Sequence, residues 1–421
     1  MGVSDSKRKI VDSGLTEKQK TNILKLFDVR GRGRETLVTN ETLQNLWRGV
    51  FSEGLLTIIL KFLFKTSKEI NIDNMEWFFY NLVVGTARER AELLITLLGI
   101  GDSIPPRTFQ MYISHLIESY MLILRQKHPE TFSVWVTADL TEKSDLAIVS
   151  KYLINNINCI DGKIGSSELE MWLLRCTFYA GIFESVMNYA FNMDIEQLLP
   201  VLPRLDVMSG LLRVPTALAL SHLTHTSGEG DWRLLYCSST DASSWNIIHR
   251  KIDQQGPTVI LIQDAAGPLF GGYASQSWKI SPNFYGDDQC FLFRLRPEMI
   301  VCTPTGYNKN FQYMNDGAAT LPNGLGMGGQ LNYFGFFLSS DYGLGSVSKT
   351  CTTFGDYVRL ASQYEFRFTR LEIWGIGEPE EDSPNSKRTS DLVMARRQSA
   401  NALLEMIGKA GHSKNLPDET F

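Results

Sequence analysis

The sequence predicts an α+β fold: an all-helical, EF-hand-like N-terminal half, then a domain of antiparallel β-sheet flanked by helices, then one amphipathic C-terminal helix. Three observations predict it. Apolar residues recur at spacings of three and four through about Met193, as a buried helix face requires. Beyond "LLPVLPRLDV" they gather in short β-branched and aromatic runs separated by Gly, Pro, Asn and Asp. After the polar stretch "EPEEDSPNSKRTS" the three-and-four spacing returns.

A chain of 421 residues exceeds one ordinary core, so several domains are expected. The hydrophobic fraction of 43% and charged fraction of 21% are those of a soluble globular protein, and a net charge of −5 exerts no general pull toward nucleic acid. Six cysteines (Cys159, Cys176, Cys237, Cys290, Cys302, Cys351) include no C-x-x-C pair, which argues against a zinc ribbon or a disulfide framework and fits a reducing cytosol. The start "MGVSDSKRKI" has no apolar signal region, and the apolar stretch "GLLTIILKFLFK" is shorter than ~18 residues and carries Lys61 and Lys65. No membrane-spanning segment is expected.

Residues 1–14 are expected to form a flexible N-terminus, and residues 15–200 the helical domain. Within "TFQMYISHLIESYMLILRQ", Phe109, Tyr112, Ile113, Leu116, Ile117, Tyr120 and Leu124 mark one helix face. Thr16 with Gln19, and Ser167 with Glu170, have capping-box spacing. "NINCIDGKIGSSE" places Asp161, Gly162, Ile164 and Glu168 at positions 5, 6, 8 and 12 of a calcium loop, but Ile157 and Cys159 at positions 1 and 3 offer no hard oxygen. "KTSKEINIDNME" puts Ile72 and Glu76 at positions 8 and 12 with Lys65 first, and "FDVRGRGRETLVTNE" sets Arg30, Arg32 and Arg34 where carboxylates are needed. These loops are expected to serve packing and to hold no metal.

The sheet domain spans residues 205–379. "TVILIQD", "FLFRL", "MIVCT", "NYFGFFLSS" and "FRFTRLEIWGIG" read as strands, the last with a phase slip that a bulge near Thr369 explains. "NGLGMGGQ" contains the Gly-x-Gly-x-x-Gly spacing at Gly324, Gly326 and Gly329. A dinucleotide site needs such glycines between a strand and a helix, whereas this run leads into strand-like "LNYFGFF", so the glycines are expected to shape a loop beside the sheet.

Taken in order, "GGYASQSW", "DDQCFLFRLRP", "NGLGMGGQ", "SKTCTTFG" and "LEIWGIG" resemble the signature segments of the TLDc domain. The resemblance implies a β-sandwich flanked by helices, with no established catalytic centre and no cofactor. The wider layout resembles the lysosomal, TOR-associated branch of that family, which includes a nematode insulin-pathway form. It implies a non-catalytic adaptor that binds the peripheral sector of the vacuolar H⁺-ATPase at the lysosomal membrane and acts with TOR pathway components.

The start "MGVSDS" fits a myristoylation pattern with Gly2 as acceptor, and Lys7, Arg8 and Lys9 would supply the second membrane signal. The other reading is a solvated terminus; the resemblance favours the lipid. After a linker at 380–389, a helix over 390–408 carries Leu392, Leu403, Met406 and Ile407 on an apolar side and Arg396 and Arg397 mid-helix, ahead of a tail at 409–421. Two readings stand open: the helix docks back on its own sandwich, or lies in a groove of the ATPase.

No G-x-S-x-G, Walker A or H-E-x-x-H motif occurs. His222 and His225 lack a third ligand nearby, and Asp287 with Asp288 read as a turn opening a strand. Cys351 beside Lys349 is the candidate for an alternative reading, an oxidation-resistance protein with a redox-active thiol.

Overall fold

The computed structural model describes residues 14–27, 37–135, 140–224 and 230–378. The expectations for Gly2, the linker and the C-terminal helix lie outside them.

The N-terminal half opens with α1 (Glu17–Phe27), β1 (Val38–Thr39), α2 (Asn40–Leu46), α3 (Glu53–Leu63), β2 (Glu69–Ile70) and α4 (Ile72–Phe79), which runs on into a π-helical turn at Tyr80–Val84. It continues through α5 (Ala87–Leu98), α6 (Pro106–Lys127), α7 (Pro129–Ser133), α8 (Leu140–Ile154), α9 (Ser166–Arg175) and α10 (Thr177–Ala190). Among the described residues the regular structure of this half is helical apart from the short ribbon of β1 with β2. The Thr16–Gln19 cap forms, with the Gln19 amide donating to Thr16 Oγ1 at 3.3 Å and the Thr16 amide to Gln19 Oε1 at 2.9 Å. Ser167 with Glu170 is not a cap: α9 starts earlier, with Gly165 as its N-cap, because the preceding Ile164 is tied to Ile104 by two backbone hydrogen bonds. All seven α6 residues singled out by spacing are buried, and so are Met121 and Ile123, because α3, α8 and α10 all pack against this helix.

The C-terminal half contains β3 (Arg204–Leu205), α11 (Val214–Leu223), β4 (Asp231–Cys237), α12 (Trp245–Ile252), β5 (Thr258–Asp264), β6 (Leu269–Ala274) and β7 (Phe291–Arg296). It ends with β8 (Ile300–Cys302), β9 (Gln312–Asn315), β10 (Gly324–Gln330), β11 (Tyr333–Ser339), β12 (Leu344–Val347) and β13 (Glu365–Ile376). The strand order is β8-β7-β6-β5-β13-β12-β11-β10-β9, with β4 also on β13, and every pair except β3 with β4 is antiparallel. β13 joins two layers. Its first residues pair with β12 and its later ones with β5 and β4, and the register shifts between Phe368 and Arg370, which places the expected bulge at Thr369.

Alternation along β5 distributes the core. Val259 and Leu261 join the apolar cluster that includes the helical half, while Ile260 and Ile262 join a second cluster with Met327 and Phe336 of the opposing layer. Both faces of β5 are thus dry, which accounts for the uninterrupted apolar run "TVILI"; each such side chain contributes about 1.5–3 kcal/mol on burial.

An ionic contact with a fully buried carboxylate crosses the halves. Asp145 of α8, fully buried, accepts from Arg296 Nε at 3.1 Å and Nη2 at 2.8 Å, and from Thr216 Oγ1 of α11 at 3.3 Å. The connection between halves is also strapped down: Tyr120 Oη donates to Pro200 O at 2.7 Å and Trp135 Nε1 to Pro203 O at 2.9 Å.

Candidate functional site

The glycine run does not form the expected loop: Gly324–Gln330 is strand β10, buried from Gly324 through Gly329. Its segment from Gly324 to Met327 pairs with β9 on one side and β11 on the other. Past the end of β9, the Gly328 amide donates to Phe311 O at 3.2 Å and the Gly329 amide to Thr353 Oγ1 at 2.8 Å. A phosphate cradle needs several convergent free N–H groups, and this strand spends its amides inside the sheet. Glycine is required for contact and conformation: Gly329 has φ +79°, and a Cβ there would stand 1.9 Å from Tyr333 O.

The other recurrent segments meet this strand. A Cβ on Gly272 would stand 2.6 Å from Met327 Sδ, and one on Gly328 would be 2.8 Å from Cys351 Sγ. Thr353, wholly buried, accepts from Gly329 and donates to Asn308 Oδ1 at 2.7 Å, so "SKTCTTFG" fastens a loop to β10. Glu372, buried on β13, accepts from Ser209 Oγ at 2.6 Å, the Gly210 amide at 2.8 Å and Trp374 Nε1 at 3.1 Å, which pins the chain ahead of α11. These segments converge to build a core.

A row of reactive atom types does occur. Ser275 Oγ donates to Asp287 Oδ1 at 2.6 Å and lies 3.1 Å from Cys290 Sγ, which faces Gln312 Oε1 at 3.5 Å. Burial pushes the Asp287 carboxyl up, but hydrogen bonds from Ser275, the Gln289 amide and Gln276 outweigh it and hold the group below its ordinary value. Cys290 is fully buried and its thiol is pushed up by burial, so the arrangement lacks an available nucleophile. Asp287 and Asp288 do precede β7 as a turn.

Burial likewise raises the thiols of Cys351, of Cys176 to about 11 and of Cys302 to about 12. Cys159 alone of the six is exposed. His222 bonds Thr177 Oγ1 at 2.9 Å and packs edge-on against Phe178, a structural placement; His225 lies outside the described residues. Among the described residues no cluster of three or more His, Cys, Asp or Glu could hold a metal ion, and no helix is long and apolar enough to cross a membrane.

In the helical half the turn at Ile160–Lys163, with Gly162 at φ +70°, leads to Ile164, and an equivalent turn at Ile100–Ser103, with Gly101 at φ +68°, leads to Ile104. Ile104 and Ile164 exchange backbone hydrogen bonds of 2.9 and 3.0 Å. The assignment of Ile72 and Glu76 to loop positions 8 and 12 is off by two residues: Ile70 is the residue paired across the ribbon to Val38, and Asn71 caps α4. Sequence reasoning missed this register because Asn71 and Asn74 form the capping box themselves. It also missed the loop at 99–105, which has no carboxylate pattern beyond Asp102.

Among the described residues two clefts lie between the helical half and residues of β3, β4 or α11, neither lined by the recurrent segments. One of about 1000 Å³ includes Trp47, Tyr189, Lys127 and Arg204, and one of about 820 Å³ includes Cys159, Met171, Trp172 and His222.

The TLDc domain family matches residues 208–377. The MTOR-associated protein MEAK7 of Danio rerio is 32% identical over 359 residues, covering 81% of this chain and 78% of that protein. Its Homo sapiens counterpart is 28% identical over 365 residues, covering 80% and 79%. Oxidation resistance protein 1 of Xenopus tropicalis is 31% identical over 176 residues, covering 41% of this chain and 19% of that protein. With about four-fifths of both chains aligned and the TLDc domain matched, the chain belongs to the TLDc-domain family of the MTOR-associated protein MEAK7.

Proposed function

We propose that this protein is a non-catalytic adaptor of TOR signalling that works at the lysosomal membrane by binding the peripheral sector of the vacuolar H⁺-ATPase. The observation that carries the reading is similarity over about four-fifths of both chains to proteins named for association with MTOR. Support also comes from the recurrent segments, which are spent on packing and hydrogen bonds and whose thiols, Cys290 and Cys351, are raised by burial. The helical half serves as an EF-hand-like scaffold: its loops pair as calcium-binding hands do, yet Ile157 and Cys159 stand where ligand oxygens belong. Myristoylation of Gly2 with the neighbouring Lys7, Arg8 and Lys9 would hold the chain on the membrane, and the helix at 390–408 would clasp the ATPase through Leu392, Arg396, Arg397, Leu403, Met406 and Ile407.

Proximity labelling on intact lysosomes tests this, comparing the full chain with a Gly2→Ala variant and a chain ending at Pro379. The adaptor reading expects ATPase and TOR components among the labelled proteins, with loss of membrane signal for the first variant and of ATPase signal for the second. Labelling of neither machine would refute it. The redox alternative requires an activated cysteine, and the half-burial of Cys351, which raises its thiol, weighs against it.

A further inference from the structure

At one end of the sheet domain three segments meet: 303–310, 329–334 and 348–353. The first is fixed with unusual thoroughness for a loop. The Thr305 amide donates to Thr353 O at 2.9 Å and its hydroxyl to Thr352 O at 2.7 Å. Asn308 accepts from Thr353 Oγ1 at 2.7 Å and donates to Thr352 Oγ1 at 2.9 Å, while Asn310 Nδ2 donates to Gly329 O at 2.7 Å. With the asparagines turned inward, alternate residues point out. Tyr307 at the tip is 81% exposed, the most exposed large apolar side chain among the described residues, and Lys309 is exposed two positions on. Tyr333, 64% exposed, stands at the turn beside Gly329, and exposed Lys349 follows Ser348, whose amide donates to Phe334 O at 3.1 Å.

We propose that this end is a protein-docking surface, with Tyr307 and Tyr333 as anchors, for an acidic face of the partner. Charge complementarity selects that occupant: the three segments hold Lys309 and Lys349 and no Asp or Glu, on a chain whose net charge is −5. Rigidity makes exposed tyrosines effective anchors, because a loop already held by side-chain bonds loses little freedom on binding and tyrosine itself has few rotamers. An anionic membrane is the weaker fit, since membrane retention by charge uses clusters of roughly 4–8 basic residues.

The inference rests on the adaptor reading, and its test separates the two. Purified full-length chain is titrated with the purified peripheral sector of the vacuolar H⁺-ATPase at low and high salt. Tyr307→Ala is expected to weaken binding about 30-fold. Lys309→Glu with Lys349→Glu is expected to slow association about tenfold and to flatten its salt dependence. Met111→Ala, an exposed position on α6, is expected to bind as wild type does. All these side chains project into solvent, so melting temperatures should match wild type. Unchanged binding by both surface variants overturns the docking surface alone; failure of wild type to bind overturns the adaptor reading and this inference with it. Loss of binding to phosphatidylserine vesicles without loss of ATPase binding would make the surface membrane-facing and equally refute the proposal.

Discussion

At the scale of single residues, glycine and cysteine divide the account between packing and chemistry. Gly329 combines a left-handed φ of +79° with a would-be Cβ 1.9 Å from Tyr333 O, and a main-chain oxygen inside a ladder cannot step aside. Gly329→Ala is therefore expected to cost on the order of 3 kcal/mol, read from chemical denaturation. Gly267→Ala, at φ +116° in open space, should cost about 1 kcal/mol from backbone strain alone. Equal losses would show that contact at Gly329 is unimportant. Thiol labelling of the native chain should modify Cys159 first, half-buried Cys351 more slowly, and Cys290 and Cys302 only with unfolding; labelling at Cys351 ahead of Cys159 would revive the redox reading. Asp264 supplies a pH test. Burial raises its carboxyl, but donation from the Ala266 amide at 3.0 Å and the Ser362 amide at 2.8 Å outweighs burial and leaves it lowered. A lowered folded value gives stability that is complete above the unfolded value of about 4 and is lost as pH falls through the folded one. Urea melts from about pH 6 to 3 should fall less steeply in Asp264→Asn than in wild type below about pH 4.

At the scale of elements, legibility followed side-chain pattern. β5, β7, β8, β11 and β13 were readable because β-branched and aromatic residues mark them, and the Thr369 bulge was readable because it shifts apolar phase. β6 and β10 were not, because close approach to a neighbouring strand or layer demands glycine where propensity demands side chains: a Cβ on Gly271 would lie 1.7 Å from Ile260 O. Ser167 misled for a related reason, since a distant backbone pair, Ile104 with Ile164, sets where α9 begins. Both isoleucines are fully buried, so Ile164→Ala should cost about 2–4 kcal/mol. Adding calcium to about 1 mM should leave the melting temperatures of wild type and Ile164→Ala unchanged, because the loop at 157–168 lacks oxygen donors at Ile157 and Cys159. A calcium-dependent rise would make the helical half a sensor.

Across the molecule, the halves share one apolar cluster and a buried pair whose members are 151 positions apart, Asp145 and Arg296. Nothing local announces such a pair, so it was illegible in sequence, as was the hub at Thr353, whose partners come from two other segments. Asp145→Ala strands a guanidinium in the interface and should destabilise by about 3–5 kcal/mol; Asp145→Leu with Arg296→Met should recover most of that loss. Failure of the double variant to recover would mean that Asp145 acts through Thr216 instead. The family itself was legible because its recurrent segments are short and rich in glycine and aromatics, whereas the sites expected at Gly2 and on the terminal helix lie beyond the described residues. The fold and the adaptor reading both require that the glycine strand belong to the core and cradle no nucleotide. Hydrogen–deuterium exchange across Leu325 to Gly329, with and without magnesium ATP or NAD, addresses it directly. Amides of a core strand should exchange only with global unfolding and ignore either nucleotide; rapid exchange that slows when a nucleotide is added would make the strand a nucleotide cradle instead.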